Sequence, residues 1–222
     1  MVKTLSSQKL VSGSSAPDFL LKGVDDKLYS LKDINSKSIL VVFICNHCPY
    51  VKARIYDIVN LQSKFNRKDL QVIGINSNDP NYESEGFDNM VKFANDYSLN
   101  FPYLIDDTQT VAKAYGAVCT PDPFLFDENK KLVFHGKLND ASEPNSIPTN
   151  HTMEENIDKW RNKKQQKYEE LQREASKNNW LFKAIFIEIG ARGWVPKTVF
   201  SAFRTLGFLP QSAKKLCDEC VC

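Results

Sequence analysis

No stretch of this chain reaches the roughly 18 uninterrupted apolar residues that a membrane-crossing helix needs. The most apolar run, residues 39–45, is short and ends in a cysteine motif, so no membrane partner is expected. Cysteine is scarce too: six in 222 residues, at 45, 48, 119, 217, 220 and 222. They are too few and too unevenly placed for a secreted disulfide scaffold of this length. Reactive thiols in a reducing compartment fit better, and the expected location is the cytoplasm. The first 16 residues are Ser-rich and carry Lys3 and Lys9, but they lack arginine, any acidic residue and a continuous apolar core. They read as a disordered arm over 1–13, with a mitochondrial presequence as the alternative. Charge of either sign is not in large excess: the formal net charge is +2, with 42% hydrophobic and 25% charged residues. That composition suits one globular domain plus an appendage, and no nucleic acid is expected as a partner.

What is present is concentrated in one segment. Residues 39–51 read Ile-Leu-Val-Val-Phe-Ile-Cys45-Asn-His-Cys48-Pro-Tyr-Val, a strand that runs into a C-x-x-C and then into a helix. A cysteine at a helix N-terminus faces unpaired backbone N–H groups and the positive end of the helix dipole, so its thiolate is favoured well below the free pKa of about 8.5. The helix itself is announced by Val51, Ile55, Ile58, Leu61 and Phe65 at three- and four-residue spacing.

Around this segment, residues 19–24 and 27–31 form a hairpin across a turn at Asp25-Asp26. Residues 70–76 give a second buried strand, followed by a polar loop with Asp79-Pro80 and a helix over 86–97. A short strand over 101–105, a helix over 108–115, a hairpin of 124–126 with 132–138 and a closing helix from about Met153 complete an α/β unit, a β-α-β half joined to a β-β-α half. Residues 153–222 differ in character: 13 Lys and Arg stand against nine Asp and Glu, and all three tryptophans lie there. A separate module is expected, with a long polar helix over 154–179 and a short one over 199–206.

Three ordered motifs, Ala16-Pro-Asp-Phe19, the strand followed by Cys45-Asn-His-Cys48-Pro-Tyr-Val51, and Val118-Cys-Thr-Pro121 before the terminal hairpin, resemble the thioredoxin-like family of the alkyl hydroperoxide reductase and thiol-specific antioxidant class. The resemblance covers residues 14–158. It implies a thioredoxin-like fold, a central mixed sheet flanked by helices, with residues 159–222 as a helical C-terminal appendage. It also implies a peroxiredoxin-like thiol oxidoreductase without cofactor or metal. Its substrate would be a peroxide or a protein or small-molecule disulfide, and its reductant a thiol of the thioredoxin or glutathione type. In that fold the bond before Pro121 is cis and lies across from the reactive cysteine, with Thr120 beside the thiol.

Two registers of the motif give different chemistry. If Cys45 opens a thioredoxin C-x-x-C, it attacks and Cys48 resolves. In thioredoxin-like relatives, however, the attacking cysteine stands five positions after the last Phe of the strand, and here that position from Phe43 is Cys48. This register makes Cys48 the nucleophile, Cys45 the resolving thiol upstream of it, and Val51 the replacement for the usual resolving cysteine. Cys48-Pro49 also resembles a peroxidatic Cys-Pro, and proline suits a first helical turn. The full peroxidatic pattern would place Pro at 41 and Thr at 45, where this chain has Val41 and Cys45. The hydroxyl that orients a peroxide is thus missing, which leaves peroxide reduction open.

His47, between the two cysteines, could stabilise a neighbouring thiolate by charge and make the disulfide more oxidising. Cys119, two residues before Pro121, could resolve or protect Cys48, or pack as a small apolar side chain. The rival to catalysis is a binding module whose thiols are structural or hold zinc through Cys45, Cys48, Cys119 and His47. Adjacent His47 and Cys48 are awkward for one tetrahedral centre. His135 reads as a solvated strand residue. In the tail, residues 187–196 with 167–171 resemble the C-terminal end of retroelement reverse-transcriptase polyproteins, without the polymerase's paired aspartates. The closing Cys217, Cys220 and Cys222 form a loose cluster that reads as a frayed terminus.

Overall fold

The computed structural model describes residues 9–177. The helix expected over 199–206, the tail cysteines and residues 187–196 lie outside the described residues. The chain divides after Trp160, and the unit Met1–Trp160 holds the sheet and every candidate site residue.

Seven strands form one mixed sheet among the described residues, in the order β2-β1-β5-β4-β3-β6-β7. The strands are β1 (Leu20–Gly23), β2 (Leu28–Ser30), β3 (Ser38–Phe43), β4 (Gln71–Asn76), β5 (Tyr103–Ile105), β6 (Asp122–Asp127) and β7 (Leu132–His135). The helices are α1 (Pro49–Lys64), α2 (Phe87–Asp96), α3 (Thr110–Tyr115) and α4 (Thr152–Lys177). Strands β3, β4 and β5 run parallel, and β1, β2, β6 and β7 add to them antiparallel. This is the thioredoxin-like architecture that the sequence implies.

Strand β3 lies inside the sheet between β4 and β6, and all six of its residues are buried. Alternate side chains serve opposite faces, as a period of two requires. Leu40 and Val42 join Val51, Ile55, Ile58 and Leu61 of α1, Met90 and Phe93 of α2, and Met153 and Ile157 of α4. Ile39, Val41 and Phe43 instead pack with Tyr115 of α3 and with Phe124 and Phe126 of β6. There the rings of Phe43, Tyr115 and Phe124 meet edge to face with centroids 5.3–5.9 Å apart, a geometry that aromatic quadrupoles favour. Truncating Ile55, which is fully buried, should cost about 2–5 kcal/mol of stability as Ile55→Ala, measured by denaturant unfolding.

Gln62 fastens the far end of α1. Its Nε2 donates to the carbonyls of Phe65 and Leu70, and its Oε1 accepts from Val72 N–H. At the near end, the loop after β7 grips the first turns of α1. Tyr50 Oη donates to Glu143, and Arg54 donates to the carbonyls of Glu143 and Ser146. Upstream of β1, Gly13 N–H donates to Leu132 O at 2.8 Å. Leu10 packs against the α3-side core, while residues 1–8 lie outside the described residues. No described helix is long and apolar enough to cross a membrane.

His135 departs from the expectation of a solvated strand residue. Its side chain is only 9% exposed, its Nε2 lies 2.8 Å from the fully buried Asp122 Oδ1, and its ring stacks on Phe124 at 3.9 Å. The reason is the β6–β7 register, which places Phe124 opposite His135 and brings ring onto ring.

Candidate active site

Parallel strands aim their carboxyl ends at the same edge of a sheet, and ligand sites of α/β folds gather there. Here β3 ends at Phe43, and Ile44 N–H still bonds Ile75 O at 2.9 Å. The chain then leaves the ladder for Cys45, Asn46 and His47. Cys48 is the N-cap of α1, with an extended backbone, and Pro49 follows in the first turn. The offset from Phe43 therefore puts Cys48, not Cys45, at the helix N-terminus.

The thiol environments differ accordingly. Cys48 is pulled down to about 5, first by a hydrogen bond from the Cys45 thiol and then by the backbone N–H groups of Val51 and Tyr50 and the Thr120 hydroxyl; burial opposes them. Cys45 is pushed up, because it is the thiol that holds the shared proton and because it is buried. Donors at a helix N-terminus stabilise a thiolate and do nothing for the thiol, so the negative charge of the pair resides on Cys48.

The loop before β6 completes the site. Thr120–Pro121 is a cis peptide. Thr120 Oγ1 lies 3.1 Å from Cys45 Sγ, and the Cys48 thiol, when protonated, donates to Thr120 O at 3.3 Å. The structure thus brings together Cys45, Cys48, Thr120 and Pro121. Cys119 adjoins them in sequence and is partly exposed.

His47 has partners that its sequence position does not reveal. Its Nδ1 lies 2.5 Å from Glu85 Oε1, its side chain is 35% exposed, and its ring packs on Tyr82 with centroids 4.7 Å apart. The Glu85 side chain is wholly buried. Its Oε1 also accepts from the backbone N–H of Asn46 and His47, at 3.0 and 3.1 Å, and its Oε2 accepts from Asn76 Nδ2 at 2.7 Å. Asn46 is anchored in turn, its Nδ2 donating to Ser84 O and its Oδ1 accepting from Tyr103 Oη. One carboxylate therefore holds the whole loop that precedes Cys48. The sequence alone does not single out Glu85, because it lies in the polar loop between β4 and α2 and nothing local marks it. Gly86 follows at φ +85°, where a Cβ would meet Pro80 O at 2.9 Å, and only glycine turns the chain there without strain.

The zinc set of the rival reading is not the one assembled. Among the described residues, Cys45, His47 and Glu85 have donor atoms within 4.8 Å of one another, while Cys119 is not in the group. Glu85 Oε1 is already shared by three N–H groups, which is the chemistry of a positioned carboxylate.

The profile of the AhpC/TSA family matches residues 12–135. The thiol-disulfide oxidoreductase ResA of Geobacillus thermodenitrificans is 28% identical over 120 residues, which cover 54% of this chain and 66% of that protein. An uncharacterized conserved protein from Geobacillus kaustophilus, whose structure is solved, is 40% identical with a TM-score of 0.63, covering 67% of this chain and 80% of that one. The thioredoxin domain of a thiol-disulfide oxidoreductase from Bacteroides vulgatus, at 21% identity and a TM-score of 0.51 over 58% of this chain and 90% of that one, shares the fold. None of these matches supports the reverse-transcriptase resemblance of the tail.

Proposed function

As a member of the AhpC/TSA family the chain is a thiol-disulfide oxidoreductase, and we propose that Cys48 attacks the substrate disulfide while Cys45 resolves the mixed disulfide that forms. The observation that carries this assignment is the N-cap position of Cys48, where the backbone N–H groups of Val51 and Tyr50 favour its thiolate. A thiolate is the nucleophile in disulfide exchange, and only one of the two sulfurs is placed to be one at neutral pH.

The exchange runs in two displacements. Cys48 Sγ⁻ attacks one sulfur of the substrate disulfide, a bond forms between them, and the other substrate sulfur leaves as a thiolate. Cys45 then loses its proton and attacks Cys48 Sγ. The Cys45–Cys48 bond forms and the second substrate thiolate departs, so the substrate gains two electrons and the protein loses two. A thiol reductant reverses the sequence and restores the pair. The substrates are protein or small-molecule disulfides, and a reducing, cytoplasmic location belongs to the same reading.

The test is a substrate trap. Reduced Cys45→Ser, mixed with glutathione disulfide, should accumulate a stable adduct mapped by mass spectrometry to Cys48, whereas the unsubstituted protein proceeds to a Cys45–Cys48 disulfide. An adduct on Cys45 in Cys48→Ser, with none on Cys48 in Cys45→Ser, would reverse the assignment.

A further inference from the structure

The resolving step needs a proton acceptor. Cys45 is the thiol that keeps the proton, yet it must be a thiolate to attack Cys48. Cys48 cannot take that proton, because in the mixed disulfide its sulfur is already bonded. The other polar neighbours fare no better. Thr120 Oγ1, at 3.1 Å, is a neutral hydroxyl that can pass a proton on but not hold one. Tyr103 is wholly buried, its phenol donates to Asn46 Oδ1, and burial pushes its ionisation well up. Asn46 and Asn76 are amides. What remains is the Glu85 carboxylate with His47 on it. A carboxylate oxygen of Glu85 and a ring nitrogen of His47 lie no more than 4.8 Å from Cys45 Sγ, within reach of one bridging water.

We propose that the Glu85–His47 pair accepts the Cys45 proton in the resolving step, with Glu85 as the residue that positions His47 and the loop before Cys48. The inference rests on the exchange reading above and adds the fate of its proton. Three features fit the task. The carboxylate is fully buried and fixed by Asn46 N–H, His47 N–H and Asn76 Nδ2, so its charge stays against the His47 ring without rearrangement. Its hydrogen bond to Nδ1 fixes the ring, leaving Nε2 as the nitrogen not held by Glu85. The half-exposed ring then offers the proton a way out to solvent or to the departing substrate thiolate. The balance closes: the S–H bond of Cys45 breaks, its proton passes to the pair, and its electron pair forms the bond to Cys48. The mixed-disulfide bond breaks onto the leaving sulfur. The titratable groups facing the pair are Cys45, Tyr82 against the His47 ring, and Tyr103, whose ionisation the Glu85 charge helps to push up.

The experiment separates the two displacements. Reduced protein is mixed with glutathione disulfide, quenched with acid at successive times, and analysed by mass for the Cys48 adduct and for the Cys45–Cys48 disulfide. In Glu85→Gln, which also loosens the loop before Cys48, any slowing of adduct formation should be much smaller than the slowing of the resolving step. Conversion of adduct to disulfide should slow on the order of 10²-fold, the lower range for loss of general-base help, and should be rescued by raising the pH. His47→Asn should slow the same step. A merely structural role for Glu85 would disturb both steps alike or neither. Conversion at the unsubstituted rate in both variants overturns the inference and leaves the exchange reading standing. If the unsubstituted protein forms no adduct at Cys48, the exchange reading falls and takes this one with it. Should Glu85→Gln fail to fold by circular dichroism, His47→Asn decides by the same measurement.

Discussion

Cys48→Ser should lower the rate of glutathione disulfide reduction on the order of 10³-fold or more, to the level of the uncatalysed reaction, as loss of a covalent nucleophile does. The serine hydroxyl is not ionised at neutral pH, so the helix N-terminus has no anion to stabilise. Cys45 does not substitute for it. That thiol is buried, has lost its partner sulfur and lies against the neutral Thr120 hydroxyl. Fold is not the cause of the loss, because oxygen replaces sulfur at an N-cap, where serine is favoured. The measurement is the rate with excess reductant, with thermal unfolding as the control. Substantial activity in Cys48→Ser would show that Cys45 attacks on its own.

The second large effect is on pH dependence. With Cys48 pulled down to about 5, its alkylation by iodoacetamide should be level from about pH 6.5 to 8 and fall tenfold per unit only below about pH 5. The sign follows from the cause: the hydrogen bonds from Cys45, Val51 and Tyr50 act on the thiolate, and their benefit is lost as acid protonates the sulfur. An ordinary thiol of pKa about 8.5 would instead climb tenfold per unit through neutrality, holding only about 3% thiolate at pH 7. Site-resolved mass spectrometry distinguishes the two, and a rising profile at Cys48 between pH 6 and 8 would contradict the N-cap argument. The same stabilisation favours the reduced pair over the disulfide. The midpoint potential should therefore lie between about −180 and −250 mV, above the roughly −270 mV of thioredoxin.

Much of this architecture is legible in the chain itself. The central strand is a continuous apolar run because both of its faces are covered, and α1 shows its buried stripe at helical spacing. Those two periods, with Pro49 after Cys48, are enough to place Cys48 at the start of a helix. His135 differs from its sequence expectation for a physical reason. An imidazole on a terminal hairpin is polar and locally unremarkable, and its burial depends on a register and on an acidic partner, Asp122, 13 residues away.

The division follows range. Whatever depends on residues within a few turns of one another was determined by sequence alone: the strand, the helix and the C-x-x-C between them, with two registers left for the thiols. What depends on elements meeting in space was decided only by the tertiary structure. Glu85 lies 38 residues from His47 along the chain in a loop without local signature. It reaches the thiols because β3 and β4 run parallel in adjacent register, from Ile39 opposite Gln71 to Phe43 opposite Ile75, so that the loops leaving both strands emerge at one edge of the sheet. No local propensity encodes that meeting; burial of both faces of the sheet does, and it turns an unremarkable loop glutamate into the buried partner of His47.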